Sequence, residues 1–130
     1  MSSFTSKLLI EPLEDGRTYR LVRPFSYHIG TRYSRIVVRV PKNFLTDFAS
    51  IPKWLWAWLP DWARINKPSV AHDFMYRCLD WNRALCDAVF YEMMLIDFRK
   101  HKTGKFYAFI EWLAVRIFGR KRWMQTRYNS

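Results

Sequence analysis

The sequence predicts an α+β fold, an N-terminal small antiparallel β-sheet followed by a bundle of about four helices. Three observations carry that expectation. Residues 7–41 are rich in β-branched and aromatic side chains bounded by turn signals, the pattern of short strands. From residue 53 to 119 apolar residues recur at the three- and four-residue spacing of amphipathic helices. No internal repeat or linker interrupts the chain, so all 130 residues are expected to form one domain.

KLLIEP, the turn EDG and RTYRLVRP form an expected hairpin over residues 7–24. YHIGTR leads into SRIVVRVP (34–41), a strand with basic residues alternating around its β-branched run. The β-rich part is expected to span 1–41, with KNFLTDFASIP closing the sheet region. The helical part is then 42–119, and 120–130 is a basic, aromatic tail. Ser50 can cap a short helix starting at IPKWLW, with Pro52 in its first turn and Pro60 ending it. KPSVAHDFMYRCL (67–79) is a second helix, LDWN a tight turn, and RALCDAVFYEMMLIDFRK (83–100) a third. After the break HKTGK, KFYAFIEWLAVRIFG (105–119) is a fourth. Its core stripe is expected to be Phe106, Phe109, Ile110, Leu113 and Ile117, and Gly119 its stop. In WLWAWLPDW, Trp54 and Trp58 are expected in the core with Trp56 and Trp62 half exposed, against an interfacial anchor as the other reading.

Half the residues are hydrophobic and 18% aromatic, which argues against disorder. The net charge of +11 favours an anionic partner: an anionic membrane surface, a phage structural protein or nucleic acid. Tail residues such as Arg122 and Trp123, cations beside aromatics, suit any of these. Cys78 and Cys86 are too few for a disulfide framework and read as free thiols in a reducing compartment. No signal peptide is expected, because MSSFTSKLLIEPLEDG has neither a basic lead nor an apolar run, and no stretch reaches the roughly 18 apolar residues of a membrane span. The expected location is the host cytoplasm or the virion.

Asp87 stands out. At helical spacing it heads the otherwise apolar series Phe90, Tyr91, Met94, Leu95 and Phe98, where an unpaired carboxylate is costly. The LDWN turn makes the second and third helices antiparallel, so residues equidistant from the turn face each other. His72 and Asp87 are such a pair, and so are Tyr76 and Arg83. Asp87 accepting a hydrogen from one imidazole nitrogen would leave the other free as a base. The same pair can instead simply tether two helices. Asp73 points about 100° away from His72 and need not join it.

The blocks TDFASIP (46–52) and HDFMY (72–76), followed by CDAVF, resemble a small phage and prophage family known only as a domain of unknown function, over residues 38–123. That resemblance implies a viral or prophage origin. H-D-x-x-Y on one helix and D-x-x-F on the next is also similar to the active site of phospholipase A2. This second resemblance implies His72 as general base, Tyr76 as brace, Asp87 as orienting acid and Asp73 as a calcium ligand. The chain departs from that family in lacking a glycine-rich calcium loop, because no glycine lies between Gly30 and Gly104. Asp47, with carbonyls from Phe48 to Ser50, could add oxygen ligands. Ser50 as a nucleophile with His72 and Asp87 is a weaker pattern than Ser50 as a cap.

Two functions follow. The favoured one is a phage-encoded, phospholipase-A2-like hydrolase acting on lipid esters at an anionic membrane. The alternative is a non-catalytic phage accessory or virion protein, tail- or capsid-associated, that binds a protein partner or nucleic acid and uses the His–Asp pair structurally. Accessibility separates them: a hydrolase needs His72 and Asp73 at the floor of an open groove, and a tether leaves them sealed.

Overall fold

A computed structural model describes residues 3–4, 7–30, 36–48 and 51–128, with side chains described from 7 to 125 within those spans. The chain divides into two compact units, 1–47 and 48–130.

Among the described residues the N-terminal unit holds six short strands in two antiparallel sheets. β1 (Ser3–Phe4), β4 (Phe25–His28) and β5 (Val37–Val40) form one in the order β1-β4-β5; β2 (Ile10–Pro12), β3 (Tyr19–Leu21) and β6 (Leu45–Thr46) form the other in the order β2-β3-β6. The expected hairpin is β2–β3, paired Ile10↔Leu21 and Pro12↔Tyr19. Its turn is held by Asp15, whose carboxylate accepts from the amides of Arg17 and Thr18 at 3.0 and 2.8 Å. Those bonds, led by the one from the Thr18 hydroxyl, bring the Asp15 pKa down to about 2. Gly16 takes φ +76° in the same turn, a conformation that disfavours side chains. Leu21, Phe25, Tyr27, Val38 and Val40 are buried and make this unit's core. The β-rich part extends past the expected end at residue 41, because Leu45 and Thr46 pair with Arg20 and Tyr19. That contact spans some twenty-five residues, and local pattern does not reveal such pairings.

The second unit is helical: α1 (Lys53–Trp56), α2 (Asp61–Arg64), α3 (Lys67–Cys78), α4 (Arg83–Asp97) and α5 (Gly104–Tyr128). α1 and α2 are single turns preceded by Pro52 and Pro60. Ser50, the expected cap, lies outside the described residues. The two long hairpin helices are capped by asparagines. Asn66 accepts from the Ser69 amide at 2.9 Å, and Asn82 from the Leu85 amide at 2.8 Å. α3 and α4 form the antiparallel pair, and α5 packs chiefly on α4 and also on α3.

Two expectations for α5 are corrected. Gly119 does not stop the helix, which runs on to Tyr128 and takes the expected tail into itself. An alanine Cβ at 119 would sit 3.1 Å from the Tyr76 hydroxyl, so this glycine serves close packing. The apolar stripe also faces outward: Phe106 and Ile117 are each 60% exposed and Phe109 46%. The buried face consists of Gly104, Ala108, Glu111, Ala114, Val115 and Gly119. Small residues let α5 approach helices that already present Met93, Met94 and Phe90, all buried, whereas a phenylalanine stripe would hold it away. The tryptophan expectation holds for Trp56 and Trp62, which are half-buried, and fails for Trp54 and Trp58, which are exposed instead of in the core. α1 is too short to bury both, and Trp58 falls beyond its end.

Candidate functional site

The α3–α4 hairpin brings His72, Tyr76 and Asp87 together. The Asp87 Oδ1 lies 2.7 Å from His72 Nε2 and accepts the Tyr76 hydroxyl at 2.5 Å. A carboxylate can only accept, so the imidazole hydrogen facing it sits on Nε2. The other oxygen of Asp87 accepts from Arg116 Nη1 of α5 at 2.7 Å, with Arg83 Nη1 at 3.5 Å. Arg83, one turn before Asp87, also donates to the carbonyls of Val115 and Arg116 at 2.9 and 3.1 Å. One carboxylate therefore joins three helices.

Burial pushes the Asp87 carboxyl up, but the hydrogen bonds from His72, Tyr76 and Arg116 outweigh it and leave the group below its ordinary range. Tyr76 shifts the opposite way: burial, then the neighbouring carboxylate, raise its phenol well above the usual value. The His72 ring packs against Tyr76 and Phe90, with centroids 4.2 and 4.3 Å away. Trp123 of α5 meets Tyr76 edge-on at 5.3 Å.

Asp73 lies outside this cluster, as helical geometry requires. Its two oxygens face Arg77 Nη1 at 3.4 Å and Arg122 Nη2 at 3.3 Å. A calcium ion wants six to eight oxygens around it. Asp73 instead has guanidinium groups on both oxygens, an arrangement that does not fit a calcium ligand. Asp47 belongs to the N-terminal unit, one residue past β6, and is half-buried. Among the described residues no group of three or more His, Cys, Asp or Glu side chains is placed to hold a metal ion.

Access is the decisive property. His72 and Asp87 are 0% exposed and Asp73 1%. Nδ1 of His72, the nitrogen a general base would use, is buried with no hydrogen-bond partner among the described residues. Sequence reasoning set Arg83 opposite Tyr76 but gave none of the three arginines as a partner of these carboxylates. Arg83 is legible, being four residues before Asp87 on one helix, a spacing that places it beside the carboxylate. Arg116 and Arg122 lie 29 and 49 residues from the carboxylates they meet, and nothing local marks them.

A second buried carboxyl, Glu111, sits on the core face of α5 with neither oxygen hydrogen-bonded among the described residues. Burial alone raises its pKa well above 4.5.

A helix hairpin clamped by a buried His–Asp–Tyr cluster, beneath a long basic helix and following a small antiparallel β unit, defines the architecture. The family model described as "Protein of unknown function (DUF1353)" matches residues 19–115, and the chain belongs to that family. The match begins ahead of the expected 38–123 segment and includes most of the strands. No curated protein and no solved structure matches the chain.

Proposed function

We propose that this chain is a non-catalytic phage accessory or virion protein that works by binding, with the His72–Asp87–Tyr76 cluster as a structural clamp. The phage or prophage origin in this reading is supported by the TDFASIP and HDFMY blocks, and the location that goes with it is the host cytoplasm or the virion. The carrying observation is burial. His72 and Asp73 are 0% and 1% exposed, and a base sealed from solvent in this arrangement has no water beside it to activate. The arginines support the same reading. Asp87 and Asp73 each face two guanidinium groups, which suits carboxylates held as struts between helices.

A second reading is favoured by one observation. His72 Nδ1 has no hydrogen-bond partner among the described residues while Nε2 is anchored on Asp87, which is the orientation a phospholipase-A2-like base needs. In that reading His72 takes a proton from water and Asp87 steadies the resulting imidazolium. Tyr76 holds Asp87 in place, and the water oxygen attacks the carbonyl carbon of a lipid ester at an anionic membrane; the ester C–O bond then breaks, the imidazolium returns its proton to the departing alcohol, and a fatty acid is released. The α5 residues Arg116, Arg122 and Trp123 would first have to leave. Hydrolysis of anionic phospholipid vesicles decides between the two, run with calcium and with chelator beside a folded His72→Ala variant. The clamp predicts no fatty-acid release from either protein and a lower melting temperature for the variant. Release that vanishes in the variant overturns the clamp in favour of the hydrolase.

A further inference from the structure

We infer that the outer face of α5 is a seat for an anionic lipid bilayer, an inference that rests on the binding reading and names its partner. Phe106, Phe109, Leu113 and Ile117 recur along one side of the helix for three turns, opposite the face that packs on α4, and all four are exposed. Apolar surface gathered in a row on one helix is the mark of an interaction site rather than scatter.

Charge selects the partner. Glu111 is the only acidic residue on α5, and it points into the core. The flanks of the exposed stripe therefore carry cations alone: Lys105, Arg120 and Lys121 are all exposed. An apolar face edged by lysine and arginine matches a bilayer, which offers anionic headgroups above an apolar layer. A neighbouring feature fits the same occupant. Between α4 and α5 a groove of about 330 Å³ is lined by Ala88, Tyr91, Phe109 and Trp112, beside the stripe.

Other occupants match less well. A second copy would set this all-cationic rim against itself, on a chain that already carries +11. Nucleic acid supplies phosphates but no hydrocarbon for Leu113 and Ile117. None of the described helices is long and apolar enough to cross a membrane, so α5 would lie in the surface, apolar face down.

The test is co-sedimentation of the full chain with vesicles of phosphatidylcholine alone and of phosphatidylcholine mixed with phosphatidylglycerol, at low and high salt. The mixed vesicles should bind at least about tenfold more tightly, with the advantage shrinking in salt. A Phe109→Gln/Leu113→Gln variant, checked for an unchanged melting temperature, should lose about tenfold or more. A Lys105→Gln/Lys121→Gln variant should keep its residual binding but lose much of the salt dependence. Equal binding by the apolar variant, or no sedimentation with either vesicle, overturns the bilayer. If the chain instead self-associates and the apolar variant abolishes this, the partner is wrong and the binding reading stands. Fatty-acid release from the same vesicles, abolished by His72→Ala, overturns the binding reading itself.

Discussion

Asp87→Asn removes one charge and one acceptor oxygen from the centre of the helical unit while keeping the side chain's shape. In the native cluster that carboxylate accepts from His72 at 2.7 Å, Tyr76 at 2.5 Å and Arg116 at 2.7 Å. A hydrogen bond to a charged group contributes about 1.5–3 kcal/mol. The Arg116 side chain is 32% exposed, so its share falls toward the roughly 0.5 kcal/mol of surface pairs. Asparagine can keep one acceptor for His72 or Tyr76, weakened by the lost charge, and its amide hydrogens then face donors. The net loss is about 3 kcal/mol. For a chain of this length about 4 °C accompanies each kcal/mol, so the melting temperature at neutral pH should fall by about 12 °C. The pH dependence supplies a second signature. Asp87 is depressed below its ordinary 3.8 in the folded state, so its contribution is fully present above that range. It is lost as pH falls through the folded value. Melting curves read by circular dichroism should therefore converge for wild type and variant in strong acid. A variant melting within about 3 °C of wild type at neutral pH would refute the clamp, because the three donors could not then depend on that carboxylate.

Glu111 should behave in the opposite sense. Its folded-state carboxyl is raised well above 4.5, so stability falls as pH climbs from the ordinary carboxylate range toward that raised value. Glu111→Leu should remove this slope and stabilise the protein at pH 8 by about 2 kcal/mol; equal slopes in thermal melts at acid and mildly alkaline pH would count against a buried, unpaired carboxyl. Gly119→Ala tests the approach of α5 to the hairpin. Helix propensity alone would favour alanine by about 1 kcal/mol, but its Cβ would stand 3.1 Å from the hydroxyl of Tyr76, which Asp87 holds in place. The variant should be destabilised by about 1–2 kcal/mol in denaturant titration, and a gain in stability would show that Tyr76 is free to retreat.

Local pattern was enough for the helix hairpin. The LDWN turn and the helical spacing on either side of it set His72 opposite Asp87 with no knowledge of the rest of the fold. That part is local because antiparallel helices joined by a short turn have their facing residues determined by counting from the turn. The hairpin β2–β3 is legible for the same reason, its turn being written in Asp15 and Gly16. The amphipathic stripe of α5 was equally visible, but its destination was not. Periodicity says that one face differs from the other, and burial of large apolar residues is then the default assumption. The tertiary structure chose the face of Ala108, Val115 and Gly119, since only small residues allow α5 to close against α4 and Tyr76. That choice drew Arg116 and Arg122 onto Asp87 and Asp73 and left Phe106, Phe109 and Ile117 outside. His72, Tyr76 and Asp87, the members of the cluster that lie on the hairpin, were therefore written in the sequence. Whether solvent can reach them was decided only by how a helix some thirty residues away packs over them, which depends on side-chain volume and distant charge pairing rather than on any local motif.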